Sequence, residues 1–345
     1  METNNFWNNH TLNDFQQLAI FEDVHSSYIS SVCFLKDGRI ASSSHDNYVL
    51  IYNKNTFKIE IRIKERKIIF YMNINKDGIL ITCMRGTYLN LYEIKGKRYS
   101  NIQTIRPYSL KYDIIGIFDG SYYIEKFIEL KNGDIAIIDN GYTISFYKKK
   151  AKSKKYSYLN QFKEEVELIP ECMTDLCELD DKQYCINYKY SKLIKFLDWN
   201  KKIITGTIKF DINFYGTDSK NQLLLMNKND LLLALDINII IIDIQKKEII
   251  KKLDLHLSGY LSYIDKLSDN IIIAGFWKNY IGQLEYDKNK KSLKLISNKG
   301  EKWSKHGIYN VSSISIFKNN LIVAPHFNSL YSSSLIIYQL KKNIN

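Results

Sequence analysis

The chain has 345 residues and a formal net charge of +12, which is long for one compact non-repeating domain. Tyr (26) and Phe (16) are abundant and Pro (3) is scarce, a mix that suits pleated, half-buried strands and argues against a helical bundle. Its five cysteines contain no CxxC pair, and its longest apolar stretch, residues 231–244, is interrupted by Asp236, Asn238 and Asp243, so neither a zinc framework nor a membrane span is expected.

Residues 1–14 are polar and read as a flexible lead-in with no apolar leader pattern. Residues 15–21, FQQLAIF, form a candidate strand with no partner of their own. Residues 29–53 then read as three short strands, 29–35, 39–43 and 48–52, joined by turns at Lys36-Asp37-Gly38 and His45-Asp46-Asn47. The rest of the chain repeats this unit. Its third strand recurs with Tyr52, Tyr92, Tyr147, Leu197, Ile242, Leu284 and Tyr338 at one position, at intervals of 40 to 55 residues. Such a period is the mark of a propeller.

A turn precedes each copy: Asp37-Gly38, Asp77-Gly78, Asn132-Gly133, Asp180-Asp181, Asn229-Asp230, Asp269-Asn270 and Asn319-Asn320. These residues tolerate positive φ and mark hairpins. Fourth strands follow at 56–63, 100–105, 156–162, 202–208, 248–253 and 292–296, but the last unit ends near residue 340 without one. The spare strand 15–21 supplies it. The expectation is therefore an all-β, seven-bladed propeller over residues 15–340. It has four antiparallel strands per blade and a tail at 341–345, and the N-terminal strand closes the ring.

The first unit resembles a WD40 repeat. In that family a His before the first strand, a Ser or Thr in the second, an Asp in the following turn and a Trp in the third form a hydrogen-bonded set. His25, Ser42, Asp46 and Tyr52 stand at those positions here, with Tyr departing from the pattern. The set is read as structural. No GxSxG surrounds Ser42, and no phosphate cradle, HExxH or EF-hand loop occurs, so no catalytic residue, cofactor or metal is expected.

The resemblance implies a non-catalytic, monomeric scaffold that binds proteins or peptides through its loop rim, as part of a larger complex. Candidate contacts are Arg85, Tyr188, Tyr190, Trp277, Lys278, Trp303, Lys305, His326 and Phe327, because aromatics beside Arg or Lys are the usual interface anchors. The alternative is a reader of acidic ligands (phosphopeptide, nucleic acid or anionic lipid) through a basic-aromatic face. The scatter of lysines along the chain favours a compositional origin for the charge. The run from Lys148 to Lys155, KKKAKSKK, lies between the third and fourth strands of unit three and reads as a solvated hairpin tip that extends by self-repulsion. A cytoplasmic location is expected, with nuclear import through that run as the alternative.

Overall fold

The structure is a computed structural model. It describes residues 6–7, 9–84, 88–107, 124–139, 143–163, 173–180, 182–188, 192–211, 221–235, 237–254, 260–276, 280–300, 311–318, 320–329 and 332–341, the side chains of 300, 327–329 and 332 excepted. Its strands make seven four-stranded antiparallel sheets, a seven-bladed β-propeller. Sheets 1 to 6 occupy residues 29–64, 69–105, 124–163, 173–209, 222–254 and 261–300. Sheet 7 holds the strands Ser315–Phe317, Leu321–Ser329 and Ser332–Leu340, and the strand Phe15–His25 is its fourth member. Phe15 lies opposite Leu340 and Phe21 opposite Leu335, so the spare N-terminal strand closes the last blade as the sequence implied. It extends to His25, carrying bulges after Gln17 and Phe21.

By contact the chain divides into two compact units, residues 1–34 with 213–345, and residues 35–212. Within each unit burial is highest in the middle strands and lowest at the outer edge. Leu80–Met84, Ile135–Asp139 and Ile271–Phe276 are buried throughout, whereas Arg98–Ile105 and Glu248–Asp254 are mostly exposed. A middle strand has neighbouring sheets on both faces, so both its side-chain rows must be apolar or satisfied. Ile81, Leu91, Phe127 and Ile137 form one such layer between sheets 2 and 3. Leu232, Ile241, Ile264 and Ile272 form another between sheets 5 and 6.

In the unit 35–212 the first hairpin turns carry Gly38, Gly78 and Gly133 at φ of 89°, 83° and 86°. Each Gly N–H closes its turn onto the carbonyl three residues back. The lysine that opens each turn also reaches the next sheet. Lys36 Nζ donates to the Lys76 carbonyl, Lys76 Nζ to the Lys131 carbonyl at 3.0 Å, and Lys131 Nζ to the Leu179 carbonyl at 3.1 Å. The fourth strand of sheet 1 begins at Ile59, later than expected, because Asn53 Oδ1 accepts the N–H groups of Asn55 and Thr56 and folds that stretch into a turn.

The other unit holds a correction. Of the lead-in expected to be loose, the described residues 6–7 and 9–14 are packed. Trp7 and Leu12 are 2% and 0% exposed and pack with Phe15 against sheets 6 and 7. A 3₁₀ turn at Leu12–Asp14 is fixed by a Thr11–Asp14 capping box. The Leu12 N–H donates to Gln283 Oε1 at 2.8 Å and Gln283 Nε2 donates to the His10 carbonyl at 3.0 Å. Two apolar side chains and one buried amide are enough to seat a segment whose composition is polar. Cys33, Cys83, Cys177 and Cys185 are thiols, and burial pushes Cys33 up to about 12. No helix among the described residues is long and apolar enough to cross a membrane.

Candidate functional site

The polar set of sheet 1 is partly as expected. The Ser42 and Tyr52 hydroxyls are 3.0 Å apart in the core. Burial pushes the Tyr52 phenol well above its ordinary value, and the Asp46 carboxylate adds to this, while the Ser42 bond works the other way. Asp46 Oδ1 accepts the Tyr48 N–H at 3.0 Å, which shapes the turn. His25 is 1% exposed.

Sheet 2 answers the same geometric need with a different residue. Thr82 and Tyr92 take the positions of Ser42 and Tyr52, since Leu80 faces Tyr92 as Ile40 faces Tyr52. Glu65 stands four residues before the first strand at Ile69, as His25 does before Ile29. Its buried carboxylate gathers three donors: Thr82 Oγ1 at 2.6 Å, Tyr92 OH at 2.9 Å and Asn90 Nδ2 at 2.9 Å. Thr104 Oγ1 extends the network to Asn90 Oδ1 at 2.7 Å. Burial first, and then the Glu65 charge, push the Tyr92 phenol well up.

This network forms the floor of a cleft of about 710 Å³. Lys64 and Arg66 flank Glu65 at one end. Burial alternates here, so Lys64 and Arg66 are exposed while Glu65 is inside. The outer strand Arg98–Ile105 contributes Asn101, Gln103 and Thr104, and sheet 3 contributes Tyr147, Tyr156 and Tyr158. Gln103 holds the two walls together. Its Nε2 donates to the Tyr156 carbonyl and its Oε1 accepts the Tyr156 N–H, both at 2.7 Å. Tyr147 OH donates to the Arg106 carbonyl at 2.9 Å, leaving the Arg106 guanidinium exposed over the Tyr88 ring at 6.0 Å. Burial pushes the Tyr156 phenol up to about 12, although Asn75 Nδ2 donates to it at 3.0 Å. Tyr158 is 39% exposed and meets Tyr147 edge-on at 5.7 Å. Among the described residues Lys64, Arg66 and Arg106 make no ion pair, and Glu65 is the one acid lining the cleft. The opening is therefore a positive, tyrosine-lined hollow.

The rim residues expected from the sequence are placed less favourably. Tyr188 is fully buried between sheets 3 and 4, with Lys195 Nζ 4.7 Å from its ring centre, so it is a core residue and no surface anchor. It ends the strand Gln183–Tyr188, where a ring that leans inward continues the core. His326 and Phe327 lie within the strand Leu321–Ser329 and not in a loop. Pro325 is tolerated there because the strand Ser315–Phe317 pairs only as far as Val323, so the ladder on that side is already open. Phe276, next to the candidate contacts Trp277 and Lys278, is buried and stacks on Tyr280 at 4.6 Å. Arg85, Tyr190, Trp277, Lys278, Trp303 and Lys305 lie outside the described residues.

The lysine run is a hairpin tip between the third and fourth strands of sheet 3, as its place in the sequence suggests, and differs from expectation only in not extending by self-repulsion. It closes a turn in which Lys150 N–H donates to the Lys155 carbonyl at 2.9 Å. Lys154 pairs with Glu93 at 2.5 Å and Lys149 with Asp77, both acids of sheet 2. These neighbours relieve the repulsion that the sequence suggests. Among the described residues no three His, Cys, Asp or Glu side chains are grouped to hold a metal ion.

A propeller of seven four-stranded sheets, with a buried polar set that links Glu65, ahead of sheet 2, to that sheet's second and third strands, defines the class. The fold is that of the WD40-repeat β-propellers. The solved structure "Crystal structure of RRP9 WD40 repeats" superposes with a TM-score of 0.68 at 12% identity, over 95% of this chain and 100% of that one. "Structure of U3-55K" does so with 0.67 at 11%, over 95% and 99%. At such identity the likeness is one of fold. No protein-family model matches the sequence, and no curated protein does.

Proposed function

We propose that this chain is a non-catalytic scaffold that binds other proteins. The observation that carries the reading is the cleft of sheets 2 and 3, where exposed Arg and Lys stand beside tyrosines. Tyr and Arg are the residues most enriched where interfaces gain their energy. The buried acids nearby support a scaffold and not a reaction centre. Glu65 is saturated by three donors, and Asp175 is held by Lys126 Nζ at 2.5 Å. A general acid or base needs a reachable proton.

The loop residues Arg85, Trp277, Lys278, Trp303 and Lys305 belong to the same proposal as a second contact area, on their chemistry alone. Affinity capture with the full chain, followed by mass spectrometry, tests the reading. Defined partners that are retained by the wild type and lost from a Trp277→Ala/Trp303→Ala/Lys305→Ala variant place the contact on the loops. Partners lost from cleft variants place it in the cleft. Capture of nothing above a bare-resin control overturns the scaffold reading.

A further inference from the structure

Resting on the scaffold reading, we infer that the cleft of sheets 2 and 3 is a docking site for an acidic, extended segment of a partner protein. The segment carries carboxylate side chains toward Lys64, Arg66 and Arg106 and apolar or aromatic ones toward Tyr88 and Tyr158.

Three observations favour this occupant. The first is charge. Lys64, Arg66 and Arg106 line one hollow and make no ion pair among the described residues, with Glu65 the one acid beside them, whereas Lys149 and Lys154 of the adjacent turn are paired with Asp77 and Glu93. Charge complementarity of this kind selects partners and speeds their encounter. The second is shape. A hollow of about 710 Å³ is concave and framed by two strand edges, which suits a few residues of chain and not a flat membrane. The third is the buried Glu65 in the floor. A phosphodiester backbone brings closely spaced negative charge across its whole contact. Here a buried carboxylate lines the same hollow as the cations, which suits single charges on side chains better than a continuous row of phosphates. Tyr88 and Tyr158 add the accessible amphipathic surface. Tyr147 and Tyr156, 4% and 2% exposed, are buried beneath it and tied to the opposite wall by their hydroxyl and backbone bonds, so the walls are already ordered and little entropy is lost on binding.

The test uses the full chain and fluorescently labelled probes. These are a ten-residue peptide alternating Glu with Tyr and Leu, its Gln counterpart, its Lys counterpart, a single-stranded oligonucleotide and vesicles containing anionic lipid. The Glu peptide should bind at least tenfold more tightly than the Gln peptide, and its affinity should fall as salt rises. Arg66→Ala/Arg106→Ala should weaken it tenfold or more. Arg66→Glu/Arg106→Glu should abolish it and gain affinity for the Lys peptide, a reversal that misfolding cannot produce. Both arginine side chains are exposed, and the Arg106 carbonyl that receives Tyr147 survives these changes. Equal binding of Glu and Gln peptides, no effect of either variant, or preference for the oligonucleotide or vesicles overturns the inference. If captured partners are retained by Arg66→Ala/Arg106→Ala while the loop variant loses them, the scaffold reading stands and the cleft assignment falls.

Discussion

Glu65 should be one of the most costly single positions in the unit 35–212. Its carboxylate accepts from Thr82 at 2.6 Å, Tyr92 at 2.9 Å and Asn90 at 2.9 Å, and the residue is 4% exposed. A hydrogen bond to a charged group contributes roughly 1.5–3 kcal/mol, and a buried donor left without an acceptor costs about 1–3 kcal/mol. Glu65→Ala strands three donors at once. Asn90 keeps a contact to Tyr92 OH at 3.2 Å, so its loss is partial. The net expectation is about 4 kcal/mol. Glu65→Gln keeps the shape and one acceptor oxygen but turns an amide NH₂ toward the Asn90 NH₂, for about 1–2 kcal/mol. Thr82→Val removes one donor cleanly. Urea unfolding of wild type, the single variants and Glu65→Ala/Thr82→Val gives the coupling of the two residues, expected to exceed about 1 kcal/mol. A cost for Glu65→Ala below about 1 kcal/mol, or additive single changes, would refute the idea that Glu65 pins this blade in place of a histidine.

In the other unit, Asp230 is 3% exposed in its side chain and receives Lys291 Nζ at 2.6 and 2.7 Å. Burial pushes its carboxyl up, yet the bonds from Lys291 and Asn227 hold it, on balance, below its ordinary value of 3.8. Its folded value lies below its unfolded one, so the pair stabilises above that ordinary value, and the gain is lost as pH falls through the folded value. Lys291→Met should cost about 3 kcal/mol at neutral pH and flatten the acid end of the stability curve, as read by urea melts between pH 7 and 3. Gly275→Ala would place a Cβ 2.7 Å from the Val311 carbonyl oxygen and 2.9 Å from its Cβ. Both are backbone-fixed, and a calorimetric melt should show a loss of about 2 kcal/mol. Trp7→Ala should cost about 3–4 kcal/mol and raise amide exchange over residues 9–14; unchanged exchange would show that the ring does not seat the segment.

The blade positions were readable because two signals coincide. Third strands share an apolar or Tyr position from Tyr52 to Tyr338, and the early turns carry glycine where φ is positive. In the first hairpin turn of sheet 4 the positive φ falls on Lys182, at 64°, a residue that carries no turn signature, so the sequence marks that turn only approximately. The Glu65 hub was missed because the search was for histidine. The signal was present in the ten-residue spacing of Ser42 to Tyr52, repeated as Thr82 to Tyr92. Tyr188 looks like a surface residue in sequence because Lys189 and Tyr190 follow it, but the strand it ends is buried on both faces, so its ring lies in the core. The cleft was invisible for a different reason. Its walls come from single residues scattered through 64–66, 88–92 and 101–106 and from Tyr147, Tyr156 and Tyr158, and the lysine run between these tyrosines, the one stretch that stands out in sequence, lines none of it.

The pairing of Phe15–His25 with Ser332–Leu340 also sets a timetable for biosynthesis. Residues 35–212 form one contiguous unit and can condense while the ribosome is still at work. The strand Phe15–His25, with its Leu18 and Ile20 exposed even in the folded protein, has to wait for residues 332–340, made far later, before its edge is covered. Through that interval it is a sticky ribbon. Chaperone dependence, and aggregation on stalled or truncated synthesis, should therefore track the emergence of residues 332–340.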